Sequence, residues 1–193
     1  MPPRRMSLTV PVGSGCEVAA AGSVNPPRVV VMGVSGCGKS TVGRLMAQTL
    51  GVPYVEGDAL HPARNVERMA AGIPLTDDDR QGWLQQVAAR LADAVAQQCG
   101  VVVSCSALKR SYRDTLRAGA PDVRFVHLHG DRPTLEQRVA QRSGHYMPPT
   151  LLQSQLDTLE PPGPDEGAIA LDIAAPPAQL AAQACARLDR SDA

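Results

Sequence analysis

The chain has 193 residues, 19 basic and 19 acidic side chains, and a formal net charge of zero. That balance argues against nucleic-acid binding driven by bulk charge, and no apolar run approaches the roughly 18 residues of a membrane span. The length suits one folded domain with a tail.

Residues 1–27 differ in composition from the rest of the chain. They contain several glycines, no helical periodicity and five prolines: Pro2, Pro3, Pro11, Pro26 and Pro27. This composition predicts a disordered N-terminal tail, followed by one folded domain over residues 28–193. A misassigned start codon and an organelle-targeting segment are the alternatives for this stretch.

The chain contains five cysteines, an odd number. None belongs to a C-x-x-C pair or to a metal-binding spacing. We therefore expect free thiols and a cytoplasmic protein, since the cytoplasm keeps thiols reduced.

The first predicted strand runs into a phosphate-binding loop. Residues 28–32 are an apolar run rich in β-branched side chains, typical of a buried strand. A predicted helix covers residues 41–50. The segment between them fits the pattern G-x-x-x-x-G-K-[ST] and reads Gly33, Val34, Ser35, Gly36, Cys37, Gly38, Lys39 and Ser40, followed by Thr41.

This loop predicts ATP binding over residues 33–41. Its glycines let the backbone approach a ligand closely, and the N–H groups and helix N-terminus favour an anion. Lys39 is expected to reach the β- and γ-phosphates, and the Ser40 hydroxyl to hold Mg²⁺. The loop does not say what receives the phosphate.

Two acids end the second predicted strand, which covers residues 51–55. Acids at the carboxyl end of a strand in an α/β sheet lie beside the ligand crevice. Asp58 is therefore predicted to orient and deprotonate a substrate hydroxyl, and Glu56 to hold Mg²⁺ directly or through water. The alternative for Asp58 is a turn residue that caps the next helix.

Paired cations follow in two predicted helices. Arg64 and Arg68 are four residues apart in a helix that starts at Pro62, so they share a face that could clamp a carboxylate or phosphate. Lys109 and Arg113 have the same spacing after the strand at residues 101–105, and we expect them to face the crevice of Asp58. A solvated surface role is the alternative for each pair.

The helix between these pairs opens with acids at residues 77–79 and continues as an apolar stripe. Trp83 in that stripe is predicted to be a core residue. The strand at residues 101–105 ends without the magnesium-holding acid that many P-loop proteins carry there, which weakens a GTPase or motor-ATPase interpretation.

A lid is predicted over residues 131–160. Arg138 and Arg142 are four apart on its first helix, a break follows at residues 143–149, and a second helix covers 150–159. Such a segment can close over the phosphates, exclude water and supply charge. A fifth strand at 168–173 and a closing helix at 177–188 complete an alternation that predicts a mostly parallel sheet.

Several stretches together resemble the small P-loop gluconate kinases. They are Met32 to Ser40, Gly57-Asp58-x-Leu60-His61-Pro62-x-x-Asn65, Met69-x-x-Gly72-x-Pro74-Leu75-x-Asp77-x-Asp79-Arg80-x-x-Trp83-Leu84, Cys105-Ser106-Ala107-Leu108-Lys109-x-x-Tyr112-Arg113-Asp114, Gly144-His145-Tyr146-Met147, and Leu151-Leu152-x-Ser154-Gln155-x-x-Thr158-Leu159-Glu160. The resemblance implies a three-layer α/β P-loop kinase fold, a five-stranded sheet of order 2-3-1-4-5 and a helical lid. It further implies phosphorylation of D-gluconate by ATP and Mg²⁺ to 6-phospho-D-gluconate, in a homodimer.

The same resemblance implies roles for individual residues. Asp58 would activate the sugar-acid hydroxyl, Arg138 would stack on adenine and Arg142 would reach the phosphates. The candidates for the substrate carboxylate and hydroxyls are His61, Arg64, Arg68, Lys109, Arg113 and His145.

Glu56 stands where the family commonly has Asp, and Cys37 occupies a variable loop position. We hypothesise a lowered pKa for the Cys37 thiol at the helix N-terminus, so that its modification would block ATP binding. The alternatives for function are a kinase of another small hydroxy acid, such as shikimate, and a nucleotide-binding regulatory protein without catalysis.

Overall fold

A computed structural model describes residues 26–141 and 149–189. The strands are β1 (Arg28–Met32), β2 (Tyr54–Glu56), β3 (Val101–Ser104), β4 (Arg124–His129) and β5 (Ile169–Asp172). The helices are α1 (Lys39–Leu50), α2 (Ala63–Ala70), α3 (Asp77–Ala96), α4 (Arg110–Gly119), α5 (Arg132–Ala140), α6 (Pro149–Thr158) and α7 (Pro177–Asp189). Short 3₁₀ turns lie at Gly57–Leu60 and Pro164–Glu166.

The strands form one parallel sheet in the order β2-β3-β1-β4-β5, which confirms the predicted topology. β1 lies in the middle, and all five of its residues are buried. Its Val29 and Val31 pack with α1 and α7 on one face, while Val30 and Met32 pack with α3 and α4 on the other. A strand buried on both faces explains the continuous apolar run in the sequence.

The boundary differences that need an explanation lie before β2 and before α4. Gly51 adopts a left-handed conformation that ends α1, and the N–H of Val52 donates to the Ala47 carbonyl, so β2 begins only at Tyr54. α4 begins at Arg110, after Lys109 and not before it, because Ala107 has a positive φ of 43° that does not fit a helix.

The thiol prediction holds in part. Cys37, Cys105 and Cys185 are free and buried, whereas Cys99 is disulfide-bonded, which corrects the expectation for that residue. Among the described helices, none has the length and apolarity to cross a membrane. The predicted tail lies outside the described residues except for Pro26 and Pro27.

Candidate active site

The loop between β1 and α1 has a backbone that only glycine adopts easily. Gly33 has a φ of 137°, and a Cβ at this position would lie 2.4 Å from the Leu128 carbonyl oxygen. Gly36 has a φ of 84°, and a Cβ at this position would lie 2.9 Å from Val139 Cγ2 and 3.1 Å from the Leu135 carbonyl oxygen of α5. The Lys39 ammonium donates to the Val34 carbonyl at 3.1 Å, so it lies over the loop. This geometry suits a phosphate cradle at a helix N-terminus.

Cys37 corrects the sequence hypothesis. Its side chain is 1% exposed, and burial raises the pKa of its thiol despite the nearby Lys39 charge. The thiolate, which is the reactive form, is therefore disfavoured. Position at a helix N-terminus does not make this cysteine reactive, because its side chain points into the core instead of toward the anion site.

Glu56 lies in a hydrogen-bonded network at the end of β2. Its carboxylate accepts from the Ser104 hydroxyl at 2.5 Å and from the Tyr54 hydroxyl at 2.9 Å, and also interacts with Ser40. Burial alone would raise the pKa of Glu56, but the hydrogen bonds from Ser104, Ser40 and Tyr54 hold it below its usual value. The network therefore keeps a negative charge beside Ser40, and Ser104 and Tyr54 had not been predicted as part of it.

The donor set at this point fits a magnesium ion that also contacts a nucleotide. Mg²⁺ prefers oxygen ligands and is usually held by one or two protein groups together with phosphates and water. Ser40 and Glu56 offer a hydroxyl and a carboxylate side by side. Within the described part of the chain, no group of three His, Cys, Asp or Glu side chains could hold a metal ion by itself.

Asp58 lies in the 3₁₀ turn Gly57–Leu60 and lines one cleft together with Lys39, Ser35 and Ser106. The turn is tightly held: a Cβ on Gly57 would lie 2.1 Å from the Ser104 carbonyl oxygen, and the Trp83 indole donates to the Gly57 carbonyl at 2.7 Å. The structure therefore brings the predicted acid and the loop lysine together. Trp83 is fully buried, as expected of a core residue, and it also anchors this turn.

His61 lines the same cleft and stacks on Trp83, with ring centroids 4.2 Å apart and planes inclined by 13°. Burial lowers the pKa of His61 to about 4, with the Asp58 charge opposing and the Arg80 charge adding to this shift. The imidazole is accordingly neutral near pH 7 and can hydrogen-bond a hydroxyl without contributing a positive charge.

The predicted substrate cations have protein partners. Arg64 and Arg68 pair with Asp79, at 3.1 and 3.5 Å, on an open face outside the cleft of Asp58. Lys109 pairs with Asp77 at 2.7 Å. The structure does not bring these three cations into the cleft.

Arg113 is the clearest departure from the expected site. Its guanidinium is 1% exposed and forms a two-pronged ion pair with Glu166, with both N–O distances at 2.6 Å. It also donates to the Glu160 carbonyl at 2.9 Å. Arg113 therefore connects α4 to the loop before β5. Its guanidinium is engaged there and does not belong to the substrate cleft.

Arg138 of α5 and Gln155 of α6, both in the segment predicted to form a lid, also make contacts at this end of the sheet. The Arg138 guanidinium donates to the Ile173 carbonyl at 2.8 Å, beside the loop that follows β5. The Gln155 side-chain oxygen on α6 accepts from the Ser35 amide at 2.7 Å, a contact that had not been predicted. Arg142 and His145 lie outside the described residues.

Arg80 is a further cleft residue that sequence reasoning missed. It follows the three acids at the start of α3. Those acids suit the positive end of the helix dipole, so the segment suggested no role beyond starting the helix. The Arg80 side chain is 9% exposed and lines the cleft with Asp58, His61 and Lys39. A single cation after three acids carries no periodic signal, and the one sequence signal that could have found it is its place in the stretch from Met69 to Leu84 that resembles the gluconate kinases.

A phosphate-binding loop, a parallel sheet of order 2-3-1-4-5 and an acid that faces the loop lysine define a P-loop kinase. A family model described as an AAA domain matches residues 29–162. A gluconokinase of Gluconobacter oxydans is 50% identical over 146 residues, covering 76% of this chain and 82% of the relative. The chain belongs to the gluconokinase family.

Solved structures agree with this assignment. A gluconokinase from Sinorhizobium meliloti is 52% identical, with a TM-score of 0.78 over 86% of this chain and 93% of its own. A sugar kinase from Janibacter is 47% identical, with a TM-score of 0.81 over 85% of this chain and 95% of its own.

Proposed function

We propose that this protein transfers the γ-phosphoryl group of ATP to a hydroxyl of D-gluconate, giving 6-phospho-D-gluconate and ADP. The observation that carries the proposal is the shared cleft of Lys39 and Asp58 in a chain that is 50% identical to a protein named gluconokinase. That identity favours gluconate over shikimate, and the intact cleft favours catalysis over a purely regulatory role.

The chemistry is an in-line displacement. The hydroxyl oxygen of the acceptor attacks the γ-phosphorus, the bond to the oxygen that bridges the β- and γ-phosphates breaks, and ADP leaves with that electron pair. Asp58 accepts the hydroxyl proton. Lys39 and the loop amides hold the transferring group, so positioning and charge neutralisation supply most of the rate.

Magnesium and the lid complete the proposed site. Ser40 and Glu56 would hold Mg²⁺, which supplies neutralisation of the phosphate charge when bound. Arg138 is proposed to bind adenine, which its place beside the loop after β5 supports. Arg142 at the phosphates and His145 at the substrate stay predictions, as do auxiliary substrate roles for Arg64, Arg68 and Lys109.

We also propose a cytoplasmic homodimer, since ATP is available in the cytoplasm and the family resemblance implies a dimer. Light scattering coupled to size-exclusion chromatography tests the dimer. A single species with the mass of one chain would contradict it.

A coupled ADP-release assay tests the function. Acceptors are D-gluconate, its epimers, shikimate, nucleoside monophosphates and none, each with ATP and Mg²⁺. Turnover that requires gluconate supports the proposal. Preferred turnover with another acceptor would retain the phosphate-site roles and overturn the substrate, and ATP binding without turnover on any acceptor would favour the regulatory alternative.

A further inference from the structure

Arg80 lines the cleft that also contains Asp58, His61 and Lys39. It belongs to the first turn of α3, and its side chain is 91% buried among Asp58, His61, Met69 and Leu75. Its guanidinium carries a permanent positive charge. A charge at this depth is costly unless an anion or several hydrogen-bond acceptors compensate it.

The protein supplies little of that compensation. The Arg80 Nε donates to the Leu75 carbonyl at 3.4 Å, a long hydrogen bond. Within the described residues, no carboxylate lies within 4.0 Å of its guanidinium. The other cations predicted to bind substrate each have such a partner, as shown above for Arg64, Arg68, Lys109 and Arg113.

The acids closest to Arg80 in sequence are already engaged elsewhere. Asp77 accepts from Lys109 and from the Tyr112 hydroxyl, and these bonds hold its pKa below the usual value. Asp79 forms the capping box with Thr76 and pairs with Arg64. Each carboxylate would have to give up an existing contact to pair directly with Arg80, although the Arg80 charge already helps to lower the pKa of Asp77.

The remaining groups of the cleft do not compete for an acidic substrate group. Lys39 lies over the phosphate loop. His61 is neutral near pH 7, because burial lowers its pKa to about 4. Asp58 repels a carboxylate and suits a hydroxyl. An acid that offers its hydroxyl to Asp58 therefore finds its complementary charge at Arg80.

The distance between these two groups is held by the fold. Trp83 lies three residues after Arg80 on α3, and its indole donates to the carbonyl of Gly57, the residue before Asp58. The capping box of Thr76 and Asp79 fixes the start of the same helix. Arg80 and Asp58 thus belong to one packed unit, which is the condition for recognising both ends of a small molecule at once.

We propose that Arg80 binds the carboxylate of the sugar acid and sets the preference of this enzyme for acids over neutral polyols and amides. The guanidinium fork matches a carboxylate with two parallel hydrogen bonds. This inference rests on the proposed function and assigns the acceptor subsite within it.

The test compares D-gluconate with D-gluconamide, which has nearly the same shape and no charge. For the wild type we expect kcat/KM for gluconate to exceed that for gluconamide by about 100-fold or more, the scale of two charge-assisted hydrogen bonds. Arg80→Gln should lower kcat/KM for gluconate by about 100-fold and change that for gluconamide less than about 3-fold. Arg90→Gln is the matched control, because Arg90 is an exposed arginine on the same helix, and it should keep the wild-type preference.

Arg80→Lys controls for a folding defect, because it keeps the positive charge and removes only the paired N–H donors of the guanidinium. It should bind ATP normally in a thermal-shift assay and show an intermediate preference for gluconate. Equal losses on both acceptors would assign Arg80 a structural role and overturn the inference, as would an unchanged preference in both variants. If the wild type uses another acceptor and not gluconate, the proposed function itself fails together with this assignment.

Discussion

The position of Asp58 is set by contacts of the neighbouring residue, Gly57. Gly57 before it fits against the Ser104 carbonyl only because it has no side chain, and Trp83 holds the same peptide from the other side. A turn fixed in this way keeps the backbone of Asp58 in place when an acceptor hydroxyl arrives, and such positioning is one way in which a general base contributes to the rate.

Asp58→Asn should therefore lower kcat by about 10²- to 10⁴-fold while ATP still binds, because the amide cannot take the hydroxyl proton. Steady-state ADP release gives kcat, and isothermal titration gives the affinity for ATP. Asp78→Asn is the matched control, since Asp78 is exposed on α3. Normal turnover by Asp58→Asn would remove the residue from the catalytic role.

Cys37 leads to a prediction opposite to the one its sequence position suggests. Its thiol is buried and its pKa is raised, so iodoacetamide should leave it unmodified in the folded protein near neutral pH. Peptide mass spectrometry before and after denaturation in urea measures the modified fraction. Rapid modification of the folded protein would show that the phosphate loop opens far enough to expose this side chain.

At the scale of elements, the buried pair of Arg113 and Glu166 joins α4 to the turn before β5. Glu166→Gln leaves the Arg113 charge without its counter-ion, and we expect the free energy of unfolding to fall by about 3 kcal/mol in urea titrations. Asp165→Asn is the control on the neighbouring residue. Its ion pair with Arg110 is more than half exposed on both sides, so a much smaller change is expected.

The same pair predicts an acid dependence. The hydrogen bonds from Arg113 lower the pKa of Glu166 to about 2 from an ordinary value of 4.5. The unfolded chain therefore takes up this proton at higher pH than the folded one, and the stabilisation is complete above about pH 4.5 and lost as the pH falls toward 2. Unfolding free energies of the wild type and Glu166→Gln should converge over this range. A constant difference between them would contradict the assignment.

The lid helix α6 contributes at the same scale. Its Leu151 and Leu152 are buried, and its Gln155 carries the contact to the Ser35 amide of the phosphate loop. The two residues are 120 positions apart in sequence, so their contact depends on how α6 packs against the rest of the domain and not on local sequence preferences.

For the whole molecule, local sequence patterns predicted the fold and part of the site, but they did not predict which side chains pair over long distances in sequence. The strand–loop–helix around Lys39 and the position of Asp58 at a strand end follow from patterns within a few residues, and the parallel topology follows from the alternation of elements. The partners of Lys109 and Arg113 lie 32 and 53 residues away and depend on how layers pack. Helical spacing places two cations on one face, but it cannot say which carboxylate the fold puts opposite them.

The contact between α6 and the phosphate-binding loop yields a last prediction for the whole enzyme. Gln155→Ala removes the hydrogen bond between α6 and Ser35, so the cleft should exclude water less well. We expect kcat/KM for gluconate to fall by about 5- to 10-fold, the scale of one hydrogen bond, and ADP release without acceptor to rise relative to transfer. Parallel measurement of ADP and 6-phosphogluconate gives this ratio. Gln153→Ala is the control two residues away, because Gln153 pairs with Asp157 within the helix. If both variants behave like the wild type, the contact between α6 and the loop has no part in keeping water from the phosphates.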